Sequence, residues 1–225
     1  MKICAIVLSW KREKNIPFVV EGLKKQSFID DILIFHNSPA SKKIPDCINI
    51  VSELNLGCMV RHSIADLLDY DYFVFSDDDF CLRGDLTKVI LPYINSHGSE
   101  SVLGFFGREL AKDSAEPYTS GKSVTTDTFK PVDIVKGRFY IMSKRSLRAL
   151  AESEFNTKCL RSEDDIRANV TCQYYFEKPS YLLPFSKEYV EELPEPHALH
   201  ERSFHNEYRD TAVTDAIKFG WTLHE

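Results

Sequence analysis

Three consecutive aspartates, Asp77-Asp78-Asp79, follow directly on the apolar run Tyr70-Asp71-Tyr72-Phe73-Val74-Phe75-Ser76. Aspartate is a poor strand former, and three adjacent carboxylates repel one another unless a cation screens them. A buried strand ending in such a cluster suits the holding of a divalent metal beside a ligand, at the edge where open α/β sheets bind. A solvated acidic turn is the bland alternative, and for an isolated triplet it would be preferred. The other strand ends weigh against it. Ser9-Trp10-Lys11-Arg12 ends one apolar run, His36-Asn37-Ser38-Pro39 ends a second, and Asn55-Leu56-Gly57 with Arg61 follows a third. Amides suit base and ribose edges, arginines suit phosphate, and a metal bridges phosphates, so this inventory suits a nucleoside diphosphate.

The elements that must position these residues alternate. Residues 3–8 read as a strand, followed by a helix that opens near Asn15 with Pro17 in its first turn. That helix turns Phe18, Val19, Gly22 and Leu23 towards the core and ends at Lys24-Lys25. Residues 31–37 and 48–51 are strands, 57–68 a helix with Met59, Ile64 and Leu67 on one side, and 70–76 a fourth strand. The alternation predicts an α/β fold, a mostly parallel central sheet flanked by helices. All four strand ends then fall on one edge and line one cleft.

Farther along, a helix over 85–97 contains Pro92, which should kink or end it. Residues 101–107 read as a strand and 112–130 as a long polar surface loop, of the length that often forms a functional lid or binding loop. Strands over 132–135 and 139–142 flank Gly137. Ser143 caps a helix running to Ser153, and a last helix over 204–219 stops at Gly220.

Composition bounds the function. With 225 residues, 43% hydrophobic and 28% charged, the chain is long enough for one globular domain. A net charge of −6 weighs against nucleic acid, and an anionic substrate would need a local metal or a few placed arginines. The apolar start runs straight into Trp10-Lys11-Arg12-Glu13-Lys14 with no small-residue cleavage site, so it reads as a strand and not a signal peptide. No stretch approaches a membrane span, and the expected location is cytoplasmic, as an enzyme or as one domain of a longer protein. The six cysteines form no C-x-x-C pair and are expected to be reduced and structural.

In this order and spacing the motifs resemble glycosyltransferases of the GT-A fold, most of all the exostosin-like family. The resemblance covers nearly the whole chain at the level of motifs. Its pattern places a hydroxyl residue, an aromatic and an arginine after the first strand, as in Ser9, Trp10 and Arg12. Asn37 matches an asparagine after the second strand, Asn55 and Arg61 an asparagine-then-arginine segment, and the triplet a D-x-D or D-D-D metal motif. The segment Val135-Lys136-Gly137-Arg138-Phe139-Tyr140 resembles the glycine-aromatic stretch before the acceptor side. Ser162-Glu163-Asp164-Asp165-Ile166 resembles the acidic segment of the catalytic carboxylate, with Asp164 in the matching place. Leu199-His200, His205 and Arg209 resemble a C-terminal histidine and arginine that close over the diphosphate; His205 and Arg209, four apart, share a helix face.

The resemblance implies metal-dependent transfer of a sugar from a nucleotide-sugar donor, UDP-linked by preference, to a hydroxyl of a glycan or other acceptor. Asp79 and Asp77, with His205, would hold manganese or magnesium, and Ser9, Arg12, Asn37, Asn55, Arg61, Asp77, Asp78 and Arg209 would bind the donor. Residues 1–97 would form the donor half and 98–225 the acceptor and catalytic half of a single domain. Asp164 is the general base if the enzyme inverts, or orients the donor if it retains. Each residue also has an ordinary reading: Arg12 a solvated charge, Asn37 a turn residue, Asn55 a cap, Gly137 a bulge, Glu163-Asp164-Asp165 the acidic first turn of a helix, His205 a surface histidine. Their joint occurrence at one edge favours the site. A sugar-phosphate nucleotidyltransferase would need a glycine-rich loop where Ser9-Trp10-Lys11-Arg12 stands. A calcium-binding structural or adhesive domain would bind metal without nucleotide and leave Arg12, Asn37, Asn55 and Arg209 unexplained.

Overall fold

In the computed structural model, residues 1–39, 42–155, 163–194 and 204–222 are described. Ser162 and Leu199-His200 of the motifs above, and the sixth cysteine, Cys159, lie outside them.

The first strand alternates in a way that fixes the architecture. In β1 (Ile3–Ser9), Ile3, Ala5 and Val7 join one apolar cluster while Cys4, Ile6 and Leu8 join another, so both faces are covered. β2 (Asp31–His36) and β4 (Tyr72–Ser76) flank it in parallel, and β3 (Ile48–Val51) extends the edge beyond β2. The four C-terminal ends therefore lie together, as expected. Beyond β4 the sheet continues through β11 (Phe139–Ser143), β6 (Leu103–Gly104), β12 (Ser180–Leu182) and β9 (Lys130–Val132). Six of these eight strands point one way; β11 and β9 run against them. A separate three-stranded sheet joins β10 (Ile134–Val135), β7 (Gly107–Glu109) and β8 (Lys122–Val124). A ribbon pairs β5 (Phe80–Leu82) with β13 (Val190–Glu192).

Helices α1 (Ile16–Lys24) and α3 (Thr87–His97) cover one face of the large sheet. Helices α2 (Val60–Leu67), α4 (Lys144–Glu152) and α5 (Asp164–Phe176) cover the other, with α6 (His205–Phe219) against α5. Ser143 caps α4 by accepting a bond from the Ser146 N–H, and Gly220, at φ 114, closes α6. No helix among the described residues is long and apolar enough to cross a membrane. Cys4, Cys47, Cys58, Cys81 and Cys172 are free thiols.

Five expectations need correction. Phe18 points outward, 56% exposed, while Ile16, Val19, Val20 and Leu23 face the core. Helix α2 buries Arg61, His62 and Ala65, leaving Leu67 at 86% exposure, because its inner face meets carboxylates and a phenol. Pro92 sits inside α3 without ending it; Pro92 and Lys88 both face solvent, where the carbonyl that loses its N–H partner can be hydrated. The stretch 101–107 divides, β6 entering the large sheet and β7 beginning another. The stretch 112–130 is no plain loop, since it contributes β8 and the start of β9.

Candidate active site

After β1 the chain reverses sharply: Lys11 has φ 60, a left-handed conformation uncommon for a side-chain-bearing residue. The turn aims the Trp10 N–H at Asp78 Oδ2 (3.0 Å) and Arg12 Nη1 at Asp78 Oδ1 (2.8 Å) and Asp79 Oδ2 (3.2 Å). Asn15 precedes α1 without capping it, because its Nδ2 donates instead to the carbonyls of Asp78 (2.8 Å) and Pro194 (2.7 Å). Behind β13, the Leu193 N–H bonds the Asp79 carbonyl at 2.8 Å, so the 190–194 segment is fastened along the triplet.

The other side of the triplet is set by β11. Its antiparallel register places Phe139 opposite Ser76, so Arg138 lies beside the aspartates. Arg138 Nε donates to Asp79 Oδ1 at 3.0 Å, and its guanidinium also bonds Glu192. Arg61, 2% exposed, reaches over from α2 and donates through Nη1 to Asp77 Oδ1 (2.9 Å) and through Nε to Asp164 Oδ2 (2.6 Å). Tyr140 lies under the guanidinium, 5.0 Å from ring centre to Cζ; its hydroxyl approaches Asp164 Oδ2 at 3.4 Å and His62 Nε2 at 2.6 Å. Asp165, next on α5, accepts from the Gly137 N–H (2.9 Å) and from Arg209 Nη2 (2.7 Å). The result is three arginine–carboxylate groups, Arg12 and Arg138 on Asp78 and Asp79, Arg61 on Asp77 and Asp164, and Arg209 on Asp165, joined along the chain into one network at the C-terminal edge of the parallel strands.

The electrostatics follow from burial and pairing. Burial pushes Asp77 up to about 7 against the pull of Arg61, and Asp79, Asp164 and Asp78 add to the push. Burial takes Asp78 up to about 6, opposed by Arg12 and the Trp10 N–H. Asp164 behaves oppositely: burial works against its charge, yet Arg61 and then His62 hold it below the usual carboxylate range. Burial leaves His62 neutral, its pKa lowered to about 4.

The donor set bears on a metal. Among the described residues no three His, Cys, Asp or Glu side chains are grouped as a ready-made ion site. Asp77 is nevertheless one-third exposed, and its Oδ2 takes no bond from the described residues. Asp79 accepts one guanidinium on each oxygen and has lone pairs to spare. Such a pair fits a divalent ion that takes one or two carboxylates and completes its shell from phosphate and water.

Of the residues read from the sequence, Arg12, Arg61, Asp77, Asp78, Asp79 and Asp164 come together, and Arg209 joins them through Asp165. Ser9 is 1% exposed at the end of β1, and its Oγ meets no hydrogen-bond partner among the described residues. Asn37 serves the backbone instead, accepting from the Leu56 N–H (2.9 Å) and donating to the Gly57 carbonyl (3.2 Å). Asn55, exposed, closes an Asx turn onto the Gly57 N–H. His205 opens α6, half-buried, one turn before Arg209. Arg138, Asp165, Tyr140 and His62 were not singled out as site residues. Arg138 and Tyr140 stood within the glycine-aromatic segment, but only the β4–β11 pairing shows that Arg138 meets the triplet and Tyr140 meets Arg61 and Asp164.

No family model and no curated protein matches the chain. Solved structures do. This chain is similar in fold to S. aureus TarS, a GT-A-type glycosyltransferase. Against TarS 1-349 in complex with UDP, the TM-score is 0.63 at 17% identity over 100% of this chain and 68% of that one. The complex with UDP-GlcNAc gives 0.58 at 18% over 88% and 60%, and TarS 1-349 alone gives 0.57 at 16% over 86% and 60%. The chain thus spans roughly two thirds or less of these TarS chains. At such identity the likeness shows the fold, a glycosyltransferase α/β fold, and gives no support to the exostosin-like family as such.

Proposed function

We propose that this chain is a glycosyltransferase that moves a sugar from a nucleoside diphosphate donor, UDP-linked by preference, to a hydroxyl of a glycan or other acceptor. The observation that carries this reading is the coincidence of two facts. The whole chain superposes on UDP-bound TarS, and its arginine–carboxylate network stands at the strand edge where α/β sheets bind ligands. Kinship with the exostosin-like family rests on the strand-end motifs alone.

In this reading Asp79 and Asp77 hold manganese or magnesium; when bound, the ion supplies Lewis-acid stabilisation of the departing diphosphate. Ser9 offers a buried hydroxyl with bonding capacity to spare to the nucleoside. Arg12 and Arg138 orient Asp79, and Arg209 adds positive charge on the α6 side. Asp164 is 2% exposed and tied to Arg61, so an acceptor hydroxyl reaches it only when Arg61 gives up that bond. Arg61 is therefore the residue that couples donor side and catalytic carboxylate. A role for His205 at the metal rests on the motif resemblance.

Thermal unfolding with UDP and with GDP, each with and without manganese, tests the donor half. A ligand at a hundred times its dissociation constant stabilises a fold by about 2.7 kcal/mol. For a chain of this length that is a rise of roughly 5–10 °C in midpoint. A rise that needs UDP and manganese together is expected. A rise with metal alone would favour the structural-ion alternative, and no rise with any nucleotide would overturn the reading.

A further inference from the structure

A second group of cations lies beside the first, on the three-stranded sheet. The β7–β8 register puts Arg108 directly opposite Ser123. Arg108 Nη1 donates to Ser123 Oγ at 3.0 Å, and Lys136 Nζ, from the turn after β10, donates to the same oxygen at 2.9 Å. Arg108 is fixed from behind by the carbonyls of Tyr118 and Thr119. The Tyr118 ring lies between two guanidinium groups, Arg108 at 4.8 Å and Arg209 at 4.3 Å. Arg209 has a carboxylate in Asp165; Arg108 and Lys136 make no ion pair with any described residue.

Like charges gathered on a half-buried surface are unfavourable unless an anion offsets them. Burial, then Arg108 and Arg209, lowers the Lys136 pKa, with Arg138 adding to the effect against Asp165. The grouping stands out in a chain whose net charge is −6. Lys136 is two residues from Arg138, which bonds the triplet, so the group adjoins the proposed transfer site.

We infer that Arg108, Lys136 and Ser123 form a subsite for an anionic group of the acceptor, a phosphate or a carboxylate carried near the hydroxyl that receives the sugar. The inference rests on the glycosyltransferase reading for the word acceptor, and on the geometry alone for the anion. The two Oγ lone pairs accept from Lys136 and Arg108, which leaves the Ser123 hydroxyl proton, the other N–H of Arg108 Nη1 and the remaining ammonium protons of Lys136 for an oxyanion.

Amide NMR titration of the protein saturated with UDP and magnesium, using glycerol 3-phosphate, glucuronate and uncharged glycerol, tests it. Blocking the donor pocket with UDP keeps the phosphate probe from reporting that pocket. The expected result is saturable shifts at Arg108, Ser123 and Lys136 with one or both anions and none with glycerol; the arms separate phosphate from carboxylate. Lys136→Gln should weaken the anion at least about tenfold, and Ser123→Ala several-fold, with UDP affinity and unfolding midpoint unchanged. No saturable shift with either anion, equal response to glycerol, or wild-type anion affinity in Lys136→Gln would overturn the subsite. Failure of UDP to bind would instead overturn the donor reading, and the same titrations without UDP would still decide the anion site.

Discussion

Arg61 donates to carboxylates from two different elements, so one buried guanidinium sets the positions of Asp77 and Asp164. Asp164→Ala would strip Arg61 of a buried partner, and an uncompensated buried charge costs about 3–5 kcal/mol, so that variant reports folding as much as chemistry. Asp164→Asn keeps an acceptor for Arg61 Nε. It should retain UDP affinity while losing transfer by about a hundredfold or more, read as kcat against donor binding; undiminished transfer would mean that the wrong carboxylate carries the role. His62 yields a pH prediction. The folded chain protonates it near 4 and the unfolded chain at about 6.5, so stability falls as pH drops through that window and levels off below it. His62→Gln should remove about 3 kcal/mol of that fall, measured by urea unfolding at pH 7 and pH 4; an unchanged slope would assign the acid sensitivity elsewhere. At this scale the sequence displayed Arg12 and the triplet because charges ending apolar runs stand out, whereas Arg61, inside a helix, was marked only by the motif it shares with Asn55. Asn37 and Asn55 carried the same signal but serve the backbone, since an amide that binds a ligand and one that holds a turn look alike in sequence.

Elements with a uniform interior were legible, and those with a chemical interior were not. β1 and α1 were recognisable because apolar residues meet apolar residues, apart from Phe18. The inward face of α2 was hidden, because a hydrophobic pattern assigns Arg61 and His62 to solvent, whereas here they meet Asp164, Asp77 and Tyr140. β8 was missed for a related reason: an edge strand of lysine, serine and valine reads as loop. The turn between β10 and β11 shows what this packing demands. Gly137 has no positive φ, so space and not backbone freedom explains it: a Cβ there would lie 2.9 Å from Arg61 Nη2. Arg61 is anchored at both ends and has little room to give. Gly137→Ala should therefore destabilise by about 1–3 kcal/mol and weaken transfer, while the same change at the open Gly84 should not touch activity. Denaturant unfolding with parallel kinetics checks both; an innocuous Gly137→Ala would mean that Arg61 moves freely.

Across the whole molecule, order in space departs from order in sequence, and this was least legible. The first four strands follow the parallel alternation, but the strand beside β4 is β11, inserted antiparallel before β6. No local pattern announces that insertion, yet it delivers Arg138 to the triplet and Tyr140 to Arg61 and Asp164. It also ties the two stretches on either side of residue 97 into one sheet. Phe73 and Phe75 on β4 are fully buried; Tyr140 stacks on Phe75 at 4.8 Å, and Met142, Leu147 and Ala168 complete that side of the core. A fragment of residues 1–97 would expose the β4 edge and these rings, and leave Arg61 without Asp164, although it contains every aspartate of the triplet. It is expected to show no cooperative transition by calorimetry, to bind a hydrophobic dye, and to have no measurable affinity for UDP with manganese. A sharp transition with intact UDP binding would make the first stretch a folding unit of its own, and would reduce β11 from a structural member of the donor site to a cover over it.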